Sequence, residues 1–260
     1  MADYINPSSL SPEDRAFVSR VKDMIKLADA RNVRKFSAFL DGRQQMLARQ
    51  TALSEGCQNF LLYGGLEDEE NERRILGIFP YYEEADPQLF PITPLSFVYR
   101  DADKLSHRDF LGSFMSLNLK RETIGDILVG DGHAVVFAQP QAAQIIQSEV
   151  VKIGRVGLSV YEGITVPIPK LHTLKPLPGT VSSLRLDCVV AHCCNLSREK
   201  AQQLIRSGLV TLQFQVCEDT SRQMQVSDVF SVRGHGKFRL EQIGAVTKKG
   251  RLHIVCSQYV

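Results

Sequence analysis

The sequence predicts an α+β chain in three parts: an N-terminal region of helices and strands, a central α/β plait, and a C-terminal unit of two helices and a small sheet. Three observations predict it. Apolar residues recur at helical spacing near the N-terminus, residues 95–162 alternate strand, helix, hairpin, helix and strand, and the last third turns to short strands with a surplus of cations. A length of 260 residues suggests two or three domains. Hydrophobic residues at 43% and charged residues at 23% exclude disordered, collagenous and membrane classes. No apolar run has the length of a membrane helix, and Met1 to Pro7 has neither the basic nor the apolar part of a secretory signal, so the expected home is the cytoplasm.

Residues 1–55 read as helical. Phe17, Val18, Val21, Met24, Ile25 and Ala28 follow a start signal at Ser11-Pro12-Glu13-Asp14, and a second helix is expected over 43–53. Strands are expected at 59–63 and 74–79, separated by Gly64-Gly65 and by the acidic stretch 67–72, which reads as a solvated loop. The proline-rich piece 80–94 marks a boundary. The first region is therefore placed at 1–92.

The plait is placed at 93–165. Its strand 95–99 leads to a helix opened by Ser106-His107-Arg108-Asp109, with Phe110, Leu111, Phe114 and Leu117 on one face. A hairpin turns at Asp131-Gly132, where a primed turn with positive φ is expected. A second helix carries Ala142, Ile145, Ile146, Val150 and Ile153, and residues 157–161 close the unit in β-α-β-β-α-β order, the ferredoxin-like arrangement. Such plaits often bind RNA through sheet aromatics, but the usual basic and aromatic signature is missing, so a structural role is favoured.

Pro167, Pro169, Pro176 and Pro178 make 166–180 read as an extended linker. Beyond it, residues 181–260 hold 11 Lys and Arg against 6 Asp and Glu, while 1–180 hold 20 against 23. A polyanion is expected at the C-terminal end. Two short helices are read within 184–205, the second capped by Ser197 and stopped near Gly208. Arg198, Gln202 and Arg206 share one stripe of that second helix. Strands are expected at 210–216, 229–232, 237–243 and 252–256, and Arg233-Gly234-His235-Gly236-Lys237-Phe238-Arg239 connects two of them. Its glycines let backbone approach a phosphate among three cations and a histidine.

Leu184-Arg185-Leu186-Asp187, Ser197-Arg198-Glu199-Lys200-Ala201, Leu204-Ile205, Gly208-Leu209-Val210 and Val226-Ser227-Asp228-Val229-Phe230-Ser231-Val232-Arg233-Gly234 resemble the small RNA-binding domain named after ribosomal small-subunit protein S-four. Upstream, residues 39–45, His107-Arg108-Asp109-Phe110-Leu111-Gly112 and Lys120-Arg121-Glu122-Thr123-Ile124-Gly125-Asp126-Ile127-Leu128-Val129 resemble the YlmH-type family of bacteria and plastids. The resemblance implies an S-four-like domain over 181–260. Arg185, Ser197, Arg198, Lys200 and Arg206 would then face structured RNA, with Arg233, Lys237 and Arg239 at its backbone; Gln202, on the stripe of Arg198 and Arg206, and His235, in the glycine-rich connection, complete the candidate contacts. Two departures, Gln213 and Gln215 for an Asn and a basic residue and Ser227 for Gly in a Gly-Asp turn, imply a differently arranged contact there.

Nucleophile–base pairs, paired carboxylates, a phosphate loop and metal-ligand spacing do not stand out. The six cysteines form no CxxC pair, and the cluster Cys188, His192, Cys193, Cys194 lacks a second ligand pair, so no metal or cofactor is expected. Arg185-Leu186-Asp187 resembles the catalytic Asp motif of pseudouridine synthases but falls in the first helix of the RNA-binding domain. The favoured function is a non-catalytic RNA-binding factor docked on ribosomal or transfer RNA, in a ribosome-associated quality-control or rescue role, cytoplasmic in bacteria or stromal in plastids. The alternatives are an RNA-modifying enzyme, with His107 or Asp109 in its site, and a protein-interaction scaffold in division or photosystem assembly.

Overall fold

The chain divides after residue 171 into two units, and the computed structural model describes residues 10–66, 71–170 and 174–260. In the first unit α1 (Pro12–Arg31) begins where Ser11 Oγ accepts from Asp14 N at 3.0 Å, and Pro12 occupies a first-turn position that needs no N–H. Phe17, Val21, Ile25 and Ala28 are buried along one face, and Asn32 ends the helix at φ +50°. A strand, β1 (Lys35–Leu40), then interrupts the stretch read as helical before α2 (Gly42–Ser54). The reason is tertiary: β1 sends Phe39 into one core and Leu40 into another, which only an extended backbone can do. With β2 (Phe60–Tyr63) and β3 (Arg74–Ile78) it forms an antiparallel sheet of order β1-β3-β2. Residues 67–70 of the expected acidic loop lie outside the described residues.

The second sheet contains β4 (Thr93–Val98), β5 (Ile124–Val129), β6 (His133–Ala138) and β9 (Ser159–Glu162), ordered β5-β6-β4-β9 and antiparallel throughout. Helices α3 (His107–Ser116) and α4 (Pro140–Glu149) cover one face, and a small hairpin, β7 (Lys152–Ile153) and β8 (Val156–Gly157), precedes β9. Only Gly132 of the turn pair takes positive φ, +71°, so the turn is not the primed type, which needs it at the first central residue too. A side chain there would run into Asp101 Oδ1.

Alternation along the strands explains how the two sheets join. Ala134, Val136 and Ala138 face the helices with Phe97, Phe110 and Phe114, whereas Leu128, Val135 and Phe137 face Phe39, Ile75, Phe79 and Phe90 of the first sheet. Each fully buried phenylalanine contributes about 2–3 kcal/mol. The boundary read at 80–94 thus cuts through a shared core. That core also covers the sheet face through which plaits commonly stack RNA bases.

In the second unit, β10 (Leu174–Val181) occupies most of the expected linker and pairs antiparallel with β15 (Leu252–Tyr259) over eight positions. Pro176 and Pro178 suggest a linker in the sequence because proline has no N–H to give to a sheet ladder. They have the same parity on an edge strand, so both missing donors fall on its open side. The sheet continues through β14 (Gly236–Val246), β13 (Val229–Val232), β11 (Val210–Leu212) and β12 (Gln215–Val216). Two helices, α5 (Leu186–Cys193) and α6 (Arg198–Arg206), pack on its apolar face against Val210, Phe230, Val232, Phe238, Leu240 and Cys256.

Candidate nucleic-acid interface

Two helix starts build the centre of this surface. Ser197 Oγ caps α6 by accepting from Lys200 N at 3.3 Å, and Gly208, at φ +68°, turns the chain after the helix. At the start of α5, Leu186 N and Asp187 N donate to the carbonyls of Arg222 and Thr220, so the 219–223 loop satisfies the helix terminus. Asp187 is consequently held 0% exposed in the first turn, where a carboxylate is favoured by the helix dipole.

The Asp187 carboxylate gathers three of the expected RNA-facing residues. Arg185 reaches it at 3.2 and 3.3 Å, Arg198 Nε at 2.9 Å and Gln202 Nε2 at 2.6 Å. Burial pushes its pKa up, but the hydrogen bonds from Arg185, Gln202 and Arg198 outweigh this and hold it well below the usual carboxylate range. Sequence reasoning noticed Asp187 only as a weak catalytic candidate. The signal for its structural role was an acid in the first turn of one short helix beside an Arg and a Gln four residues apart on the next.

Arg198 keeps its side chain 52% exposed despite the ion pair, and Lys200 and Arg206 are exposed with no acidic partner among the described residues. These cations project from a helix edge held in place from below. The Arg233 turn adjoins them, because Arg233 N donates to Leu209 O at 2.9 Å just beyond α6. Arg233 and His235 are exposed there.

Lys237 and Arg239 lie elsewhere. They alternate with Phe238 and Leu240, which face the helices, so they point to the opposite, outer face of the sheet. Arg239 is held by Glu241 at 2.9 and 2.8 Å, and Lys237 Nζ stands 4.6 Å from the Tyr259 ring centroid. The ten expected residues therefore form two surfaces, with the Arg233 turn on the rim between them. The same alternation was readable in the sequence.

The cysteine and histidine cluster disperses. Cys188 Sγ is near Ser182 and Ser183 hydroxyls, His192 Nε2 approaches Leu177 O, and Cys193 interacts with Cys256. Among the described residues no three His, Cys, Asp or Glu side chains are placed to hold a metal ion. No helix among them is long and apolar enough to cross a membrane.

The motifs of the first unit meet at the junction of its two sheets. Arg73 Nε and Arg121 Nη1 both donate to Ile124 O, at 3.2 and 2.6 Å, beside the bulge in β5. Burial, followed by the charge of Arg73, lowers Arg121 to about 10. Asp126 accepts from Asn71 Nδ2, Glu72 N and Arg73 N. His107 is exposed at the start of α3, and partial desolvation and then the Arg121 charge lower its pKa. Asp109 accepts from Ser106 N at 2.8 Å and from Ser106 Oγ at 2.7 Å, which is helix capping rather than acid–base positioning.

Comparison with known proteins adds three findings. Residues 90–165 match the family model described as "Putative RNA-binding domain in YlmH". The chain is 29% identical over 252 residues to "Ribosome-associated protein quality control protein P2" of Bacillus subtilis (strain 168), covering 93% of this chain and 94% of that protein. The solved structure of "Cell division protein ylmH from Streptococcus pneumoniae" aligns with a TM-score of 0.53 at 23% identity, over 61% of this chain and 96% of the other, a likeness of fold.

Proposed function

We propose that this chain is a non-catalytic, ribosome-associated RNA-binding factor of the YlmH type, acting in the cytoplasm on structured ribosomal or transfer RNA. In this reading residues 93–165 are a ferredoxin-like plait and the C-terminal unit is an S-four-like domain. The observation that carries it is the α6 edge, where Arg198, Lys200 and Arg206 stand exposed over a buried Asp187 that orders Arg185, Arg198 and Gln202. Arg and Lys presented from a fixed helix suit recognition of folded RNA by shape and phosphate position. The matched RNA-binding family model and the name of the Bacillus relative support the same reading.

The strand order β5-β6-β4-β9 supports the plait, and the cover over Leu128, Val135 and Phe137 favours a scaffold role for it. Asp187 is unsuited to attack a base. It is sealed from solvent and its oxygens already accept hydrogen bonds from three side chains. The ten residues named from sequence remain the proposed contacts, divided between the helix edge with its adjoining turn and the outer sheet face.

The test is co-sedimentation with ribosomal subunits at low and high salt, comparing wild type with an Arg198→Glu, Arg206→Glu double substitution. Salt-sensitive migration with one subunit, lost in the double variant, is the expected result. Migration of the wild type at the top of the gradient at both salt concentrations sinks the proposal.

A further inference from the structure

A row of side chains crosses the outer face of the C-terminal sheet. Backbone pairing aligns Val216 with Thr211, Thr211 with Ser231, and Ser231 with Lys237, and the Lys237 Nζ to Tyr259 approach of 4.6 Å carries the row onto β15. Its centre is shallow because Thr211 and Ser231 are small. Its ends are an aliphatic residue and an aromatic residue beside a cation.

Phe214 borders this floor. It and Gln213 form the two-residue turn between β11 and β12, with φ +64° and +48°. Asn and Gly adopt those angles readily, whereas a phenylalanine there is strained. Packing does not explain the ring: it is 42% exposed, outside the core of the unit, and 5.9 Å from Lys237 Nζ. A strained residue that spends its large apolar group on solvent is a candidate for ligand contact.

We infer that Phe214, Lys237 and Tyr259 form a stacking subsite for an unpaired RNA base, on the face of the sheet opposite α5 and α6. A base is received by its π-face on the ring while its flanking phosphate meets the ammonium, the combination used by proteins that hold single-stranded nucleic acid. The excess of cations in the C-terminal third complements the phosphate. This inference rests on the RNA-binding reading and adds a second contact of different chemistry: folded RNA on the helix edge, a splayed nucleotide on the outer face.

The experiment uses the full chain, a short labelled oligoadenylate and an RNA duplex of equal length. Phe214→Gly removes the ring and relieves the backbone, so it is expected to keep or raise the melting temperature while weakening oligoadenylate binding roughly five-fold or more, with duplex binding unchanged. Phe214→Trp is expected to retain affinity. The chain has no tryptophan, so quenching of the introduced indole by oligoadenylate reports stacking directly. Wild-type affinity in Phe214→Gly overturns the subsite, as does equal loss of both RNAs. A change in solution mass with unaltered RNA binding also overturns it, because the ring would then cover a second copy. If the Arg198→Glu, Arg206→Glu variant leaves the ribosomal fraction while Phe214→Gly is neutral, only the stacking inference fails; if wild type binds neither ribosome nor oligonucleotide, the RNA-binding reading fails.

Discussion

Gln202 Nε2 donates to Asp187 Oδ2 at 2.6 Å, joining the middle of α6 to the buried start of α5. The same carboxylate oxygen receives Arg198 Nε at 2.9 Å, so one acid sets the position of two side chains a helical turn apart. The cationic edge thus depends on a carboxylate that is itself sealed from solvent.

Replacing Asp187 by Ala is expected to lower stability by about 2–3 kcal/mol, because Arg185 and Arg198 lose their acceptor but keep access to water. Calorimetry of the full chain should show one transition moving and another staying, since Asp187 packs in one of two units. Two unmoved transitions would mean that the packing of α6 against the start of α5 does not depend on this acid.

The same carboxylate makes the second unit acid-sensitive. Its folded pKa lies below the unfolded value, so its contribution is fully present above roughly pH 4 and is lost as the pH falls below it toward the folded value. Asp126 shifts upward, because burial outweighs its hydrogen bonds from Asn71, Glu72 and Arg73, so it contributes no such acid loss. Melting curves between neutral and acid pH should show a steeper decline for wild type than for Asp187→Asn.

Local signals were readable and tertiary ones were not. Ser11, Ser106, Ser197 and Gly208 mark helix ends by chemistry confined to a few residues, and the structure places termini beside them. By contrast, β1 lies between two helices and owes its form to β3, while β10 hides behind prolines tolerated only because the strand is an edge. The cations at the C-terminal end were countable, but their division between two faces required knowing which face the helices cover. Phe214 left no trace in composition or periodicity; its meaning came from the backbone angle.

Ser227 has φ +75° where the resembling family has glycine, and its N–H donates to Leu240 O. Ser227→Gly is expected to raise stability by up to about 1 kcal/mol by removing left-handed strain, less the added freedom of glycine in the unfolded chain. The hydrogen bond from Gln213 Nε2 to Asp228 Oδ1 at 2.8 Å should survive, since it does not involve the Ser227 side chain. A higher denaturant midpoint with unchanged slope is the signature, and a lower midpoint contradicts it.

Gly125 permits the first unit's sheets to close. An added Cβ would stand 2.7 Å from the Phe39 ring and 3.1 Å from Phe137 O, and both residues are buried. Gly125→Ala is therefore expected to cost about 1–3 kcal/mol by overpacking. Hydrogen exchange should show faster exchange in β1 and β5, with the C-terminal sheet unaffected; uniform protection in both units would argue that the junction yields freely.

Charge pairing separates Arg206 from Arg239 among the proposed RNA contacts. Arg206 is exposed without an acidic partner among the described residues, whereas Arg239 is neutralised by a two-bond contact with Glu241. Four phosphate-contacting cations would give a log–log salt slope of roughly −3 to −4, and losing one reduces its magnitude by nearly one. Arg206→Ala is expected to produce that change in binding to structured ribosomal RNA, and Arg239→Ala to produce much less, because the Arg239 guanidinium is already engaged by Glu241 and is not free to neutralise a phosphate. Anisotropy titrations over a range of salt measure both slopes. Equal slopes for Arg206→Ala and wild type would remove the end of α6 from the interface, and a full-unit change for Arg239→Ala would show that RNA displaces Glu241.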